Sequence, residues 1–304
     1  MAPTIVSPVF VIGTGRSGLT PLMDLVAYHP AFAWPSQYHS RFPKSYRWAM
    51  LSRLLNFIPA GSERKFARLV PTHSEAWAMW RGCFYGFSTP FRDLTEADVT
   101  PHVRNRFQKV VRSILKYQGK KRFIAELSGW SRVRFLKEIF PDAKFIHIVR
   151  DGRAVANSLI NVDYWRGWEG IYNWRWGVPS PDAIKFLEKY EYGFLALAAV
   201  QWRMLVGNIR IETAKLDRGD LLLVRYEDMT ADPRGETARC IEFCGLDADL
   251  RRFQRHLSMT VRTRIIDANR FSYRIPPWRE NLNESDVEML NDIMADELAA
   301  FGYE

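Results

Sequence analysis

The sequence predicts a three-layer α/β fold, a central, mostly parallel sheet flanked by helices, and three observations predict it. Four short β-branched or apolar runs, Val9–Gly13, Arg122–Leu127, Lys144–Val149 and Asp220–Arg225, have the length and composition of strands. The runs FIHIV and LLLV are apolar at nearly every position, the pattern of strands covered on both faces, as parallel strands are. Each run is followed, directly or after a loop, by a stretch with helical spacing, and repeated βα units close into this architecture through right-handed crossovers.

The elements follow in order. Thr20–His29 reads as the first helix, with Pro21 in its first turn, where the missing N–H costs little, and Pro30 as its stop. Residues 36–100 are rich in aromatics and arginine with weak periodicity, and read as a cap inserted over the sheet within one domain spanning 1–304. Pro101–Tyr117 precedes the second strand, Ser131–Phe140 follows it, and Gly152–Ile160 follows the third. Pro181–Leu216 reads as helical before the fourth strand, and Pro233–Cys244 after it. Ser285-x-x-Glu288 has the capping-box pattern and opens a last helix with Leu290, Ile293, Met294 and Leu298 on one stripe.

Composition narrows the function classes. A chain of 304 residues, 47% apolar and 25% charged, is an ordinary globular protein and not a disordered one. Its net charge of +9 suits anionic partners (phosphate-bearing cofactors, nucleic acid or a membrane surface) and identifies none of them. Cys83, Cys240 and Cys244 are too few for a disulfide scaffold; the last two read as small core residues on one helix face, and no His or Cys spacing resembles a zinc site. The N-terminus lacks a basic n-region, and the longest apolar run, Phe194–Val200, falls far short of the roughly 18 residues of a span, so a soluble cytoplasmic protein is expected.

The chemistry begins where the first strand ends, in Gly13-Thr14-Gly15-Arg16-Ser17-Gly18-Leu19-Thr20. A strand, a small-residue loop and a helix N-terminus together aim several backbone N–H groups at one point, and the helix dipole adds to the attraction for an anion. The spacing is that of a nucleotide-triphosphatase P-loop, but the lysine slot holds Leu19, which argues against ATP or GTP hydrolysis; a cation stands inside the loop instead, at Arg16. The third strand runs into Arg150-Asp151-Gly152-Arg153 and, eight residues after Arg150, Ser158. Arg150 exits at the carboxyl edge of the sheet, where such sheets bind ligands, and a guanidinium fork with a hydroxyl makes a second phosphate site.

This pair of motifs resembles the sulfotransferase family, which uses 3′-phosphoadenosine-5′-phosphosulfate (PAPS). The resemblance extends through LLLVRYEDM at 221–229 with Asp232-Pro233, WREN with Leu282 at 278–282, and Phe301-Gly302-Tyr303, covering most of the chain except 36–120. The Arg-Asp-Gly-Arg-Ala run is especially like the branch with tyrosylprotein and many bacterial sulfotransferases. It implies a single sulfotransferase-like domain in which Gly15, Arg16, Ser17, Gly18, Leu19 and Thr20 cradle the phosphosulfate. Leu19 departs from the family's usual Thr and loses a hydroxyl contact but not its N–H. Arg150 and Ser158 would fix the 3′-phosphate, Tyr226 would approach the adenine, and Arg270 or Arg274 would complete the 3′-phosphate site. The product would be adenosine 3′,5′-bisphosphate (PAP), with Arg16 and the loop amides neutralising charge on the leaving group and no metal required.

The proton acceptor has two candidates. The branch's usual Glu after His29-Pro30 is replaced in Trp34-Pro-Ser-Gln37-Tyr38-His39 by Gln37, which cannot serve, whereas His39 can. The cytosolic branch draws its base from the end of the strand before Arg150, where this chain has Glu126; a carboxylate there would be repelled by the sulfonate unless a cation intervenes. His147, inside FIHIV, reads as core. Trp165, Trp168, Trp174 and Trp176, with Tyr164 and Tyr172, form an aromatic loop read as an acceptor platform, a packed lid, or peripheral seating on a membrane that supplies a lipid. The expected activity is sulfuryl transfer to a hydroxyl or amine of a small-molecule, carbohydrate or lipid acceptor, with no nucleic-acid partner. The alternatives are a P-loop phosphotransferase using Arg16 in place of the lysine, or a non-catalytic polyanion- or membrane-binding protein.

Overall fold

The computed structural model describes residues 3–57, 71–88, 91–266 and 277–303. In chain order the strands are β1 (Val9–Gly13), β2 (Phe32–Ala33), β3 (Arg122–Ser128), β4 (Lys144–Val149) and β5 (Leu221–Arg225). The helices are α1 (Leu19–Val26), α2 (Gln37–Arg41), α3 (Trp77–Cys83), α4 (Pro101–Gln118), α5 (Val133–Ile139), α6 (Gly152–Leu159), α7 (Pro181–Lys189), α8 (Phe194–Thr213), α9 (Tyr226–Ala231), α10 (Pro233–Phe243), α11 (Arg251–Thr260), α12 (Trp278–Asn281) and α13 (Glu284–Ala300). The five strands form one sheet in the order β2-β3-β1-β4-β5, every pair parallel. β1 lies in the middle, so the loop after it opens at the centre of the sheet's carboxyl edge.

Apolar clusters line both faces of the sheet. Phe10, Ile12, Phe123, Ala125 and Phe145 point to one side, against α3, α4 and α5, with Trp80 stacked on Phe107. Val9, Val11, Ile124, Ile146 and Ile148 point to the other, against α1, α10 and α11. This alternation is the period-2 geometry of strands buried on both sides. A third cluster joins α6, α8 and α13 beside the edge. The 20-residue α8 is apolar enough to cross a membrane, but its residues are mostly buried in this cluster, and Arg210 near its end pairs with Glu297 of α13 at 2.7 Å.

Three expectations change. Pro181–Leu216 is two helices, because Glu191 and Tyr192 adopt left-handed φ of 53° and 55° between α7 and α8. The last helix is capped two residues earlier than Ser285, by Asn283, whose side chain accepts from the N–H of Asp286 while the Asp286 carboxylate accepts from the Asn283 N–H. Within 36–100, α3 has real helical form, and Met79, Trp80, Cys83, Phe87 and Leu94 are buried in the first cluster. Cys240 and Cys244 are both buried and free, as read.

Candidate functional site

The loop between β1 and α1 owes its shape to small residues. Gly13 packs so closely on β4 that a Cβ would lie 2.6 Å from the Ile148 carbonyl oxygen. Ser17 Oγ donates to the Thr14 carbonyl at 2.7 Å, closing the turn. Arg16 and Gly18 hold left-handed φ of 68° and 101°, and such alternation turns successive N–H groups toward one concavity. Leu19 is buried in the second cluster, so the slot that carries lysine in a P-loop belongs here to the core. At Gly18 a Cβ would meet the Tyr226 ring at 2.4 Å. Gly18→Ala is therefore expected to cost about 1–3 kcal/mol in urea unfolding, through left-handed strain and displacement of Tyr226. Gly15→Ala, with nothing within 4 Å of its Cβ, should stay near wild type.

The second motif meets the first directly. Arg16 Nε donates to Ser158 Oγ at 2.7 Å, and Arg150 Nη1 donates to the Arg16 carbonyl at 3.2 Å. The Arg150 guanidinium also lies 4.5 Å over the Tyr226 ring. Arg16, Ser17, Gly18, Arg150, Ser158 and Tyr226 thus surround one locus. The second arginine of the run is structural: Arg153 forks onto Asp151 and covers Trp278 at 4.6 Å. Motifs distant in sequence lock this frame, since Glu227 accepts from the Asp151 N–H and from the Tyr303 hydroxyl, and Asn281 donates to Asn157. Arg270 and Arg274 lie outside the described residues.

Beside the loop opens a cleft of about 460 Å³, lined by Thr20, Gln37, Ser40, His73, Ser74, Glu75, Ala76, Trp77, Ala78 and Glu126. His73 Nε2 meets Asp24 Oδ1 at 2.8 Å and its Nδ1 meets Glu126 Oε1 at 2.9 Å. Burial alone would depress this imidazole, but the two carboxylates outweigh it and raise its pKa to about 9. It is the cation that a carboxylate at Glu126 requires. Glu75 accepts from the Ser128 N–H and from Trp77 Nε1, both at 2.8 Å, and burial together with the Glu126 charge holds its carboxyl above the usual range.

Because His73 gains its proton affinity on folding, its contribution is fully present below pH 6.5 and fades as pH rises through about 9. Unfolding titrations should therefore show wild type losing stability relative to His73→Gln between pH 7 and 10. A constant difference across that range would reject the charged triad.

His39 does not reach this cleft. It is fully buried, its Nδ1 accepts from the Ser36 N–H at 2.9 Å as part of the α2 cap, and burial lowers its pKa to about 4. Its Nε2 is buried without a partner among the described residues, and His39 is not among the residues that line the cleft, so this arrangement does not offer it to an acceptor there as expected. His147 is buried, with its pKa lowered to about 3. The aromatic loop divides: Trp165 and Trp174 are buried, donating to Gln201 and the Gly177 carbonyl, which rules out a platform of all four indoles. Tyr164 accepts from Arg16 Nη1 at 3.1 Å, and Trp176 covers Gly129 just past β3, so the loop walls the site at two points. Sequence reasoning missed Asp24, His73 and Glu75. The available signal was a His and a Glu two apart in an extended segment, a spacing that turns both to one side.

The sequence pattern described as the sulfotransferase family matches residues 8–249. The chain is 26% identical over 192 residues to carbohydrate sulfotransferase 2 of Mus musculus, a match covering 56% of this chain and 36% of that protein. It is 22% identical over 275 residues to omega-hydroxy-beta-dihydromenaquinone-9 sulfotransferase Stf3 of Mycobacterium bovis, covering 81% of this chain and 65% of that one. It thus spans about a third and just under two thirds of these relatives' lengths. Among solved structures, sulfotransferase STF9 from Mycobacterium avium has a TM-score of 0.61 at 16% identity, over 99% of this chain and 78% of that one. Sulfotransferase STF1 from Mycobacterium tuberculosis gives 0.57 at 17%, over 96% and 77%, and both share the fold.

Proposed function

The chain belongs to the sulfotransferase family, and from that premise we propose that it moves a sulfuryl group from PAPS to a hydroxyl or amine of a small-molecule, carbohydrate or lipid acceptor. The observation that carries this reading is the pair of hydrogen bonds from Arg16 to Ser158 and from Arg150 to Arg16, which unite two anion-binding motifs far apart in sequence.

The residues fit the donor. The loop's left-handed Arg16 and Gly18 make an amide-lined cradle, the Thr14 hydroxyl is buried without a partner among the described residues, and two guanidinium groups face the same locus. Gly15, Arg16, Ser17, Gly18, the Leu19 N–H and Thr20 would hold the phosphosulfate, Arg150 and Ser158 the 3′-phosphate, and Tyr226 the adenine. When bound, PAPS supplies an activated sulfuryl group and leaves as PAP. Arg16 and the loop amides bring fixed positive charge to the leaving phosphate, which requires no reorganisation during transfer. Thr20 stands at the junction between cradle and cleft, so the acceptor enters past Gln37, Ser40 and Trp77. There Glu75 takes the acceptor's proton. Glu126, with one oxygen engaged by His73, holds that imidazolium in the cleft wall, where its charge would offset the carboxylates' repulsion of a sulfonate.

Incubation with labelled PAPS and a panel of phenol, alcohol, sugar and lipid hydroxyls should yield labelled product, and calorimetry should show PAP binding. Magnesium-dependent ATP binding with no PAP binding would overturn the reading.

A further inference from the structure

We propose that the outer face of residues 38–54 docks on an anionic lipid surface and brings the acceptor cleft to it. The cleft's Gln37 and Ser40 sit on α2, and Phe42, 38% exposed, follows that helix directly. Tyr46–Phe57 then forms a 3₁₀ helix, in which positions i and i+3 eclipse. Ala49 and Ser52 face inward and are buried. Trp48, Leu51 and Leu54 form one outward ridge, and Arg47, Met50 and Arg53 the next. Trp48, Met50 and Leu54 are 37%, 51% and 44% exposed, and Phe42 and Trp48 stack at 5.3 Å.

The charge along this segment has one sign. From Asp24 to Glu63 the sequence holds no Asp or Glu between them, but it holds Arg41, Lys44, Arg47 and Arg53. Arg53 donates to the Tyr117 carbonyl at the end of α4 and anchors the face to the body. No carboxylate among the described residues pairs with Arg41, Lys44 or Arg47. Exposed aromatics and aliphatics flanked by cations that no described carboxylate pairs match the chemistry of a lipid interface, where rings sit at headgroup depth and cations meet anionic lipid. A second copy of the chain is the poorer occupant, because two such faces would bring like charges together with no carboxylate between them. Docking stands independently of the transfer reading; that the surface presents a lipid-borne hydroxyl to the cleft rests on it.

The test is co-sedimentation of the full chain with vesicles of phosphatidylcholine alone and of equal parts phosphatidylcholine and phosphatidylglycerol. Binding is expected to the mixed vesicles only, falling about fivefold for each of Arg41→Gln, Lys44→Gln and Arg47→Gln. It should be lost in Trp48→Ser/Leu54→Ser, with the thermal midpoint and PAP affinity of wild type retained. Absence of wild-type binding to the mixed vesicles, or equal binding by all variants, overturns the proposal. So does a wild-type dimer that Trp48→Ser dissociates, which would give the face to a second copy. Vesicle binding without PAP binding would strike the transfer reading and leave the docking face standing.

Discussion

Replacing Arg150 by alanine is expected to weaken PAP binding about 100-fold, with a thermal midpoint close to wild type. Arg150 is half-buried, and its contacts here are the Arg16 carbonyl and the Tyr226 ring, so its removal opens no core cavity. Losing a charge-assisted fork to a phosphate costs about 2–4 kcal/mol, and each 1.4 kcal/mol is about tenfold in affinity. A second effect adds to the first: without the bond to its carbonyl, the left-handed Arg16 loses part of what fixes it beneath Ser158. Arg150→Lys keeps the charge but not the fork and should fall between the two. Titration calorimetry with PAP reads all three proteins. An unchanged dissociation constant in Arg150→Ala would remove the 3′-phosphate role and, with it, the convergence on which the transfer reading rests.

How much of this was legible depends on how locally each feature is encoded. The central strands are visible because a strand buried on both faces is apolar at nearly every position, as Phe145–Val149 is apart from His147; β2, two residues long, carries no such pattern. The break between α7 and α8 is hidden because it rests on two non-glycine residues in left-handed conformations, which composition does not announce. The loop and the Arg150/Ser158 pair are contiguous motifs and could be read directly. His73 and Glu75 could not, since their meaning comes from Asp24, 49 residues from His73, and Glu126, 53 residues from it. Gln37 marks the loss of an expected carboxylate from α2, and the antiparallel bridge from Ser36 to His73 brings its neighbours to the same cleft. His39 misled because a His three residues after Ser36 can close a capping box as well as face a substrate.

Glu75→Gln is expected to reduce kcat about 10²- to 10⁴-fold, the range for removal of a general base, while PAP affinity stays within about twofold of wild type. The base must be ionised, so the wild-type rate should rise with pH through the Glu75 carboxyl's pKa and level off above it. Burial and the Glu126 charge hold that pKa above the ordinary carboxylate value, which puts the acidic limb at correspondingly higher pH. Gln at position 75 removes the limb. Glu126→Gln discriminates between the two carboxylates, because it deletes the charge that raises Glu75 and should move the limb toward lower pH without erasing it. If Glu126 itself took the proton, the pattern would invert: Glu126→Gln would lose the limb and most of kcat, and Glu75→Gln would only shift it. His73 supplies the reason for the first pattern. The His73 imidazolium already occupies Glu126 Oε1, whereas the described donors to Glu75 are an amide and an indole N–H, neither of them charged. On the proposed reading the same cation would offset part of the repulsion between the cleft's carboxylates and an arriving sulfonate, which is what a carboxylate base beside an anion needs.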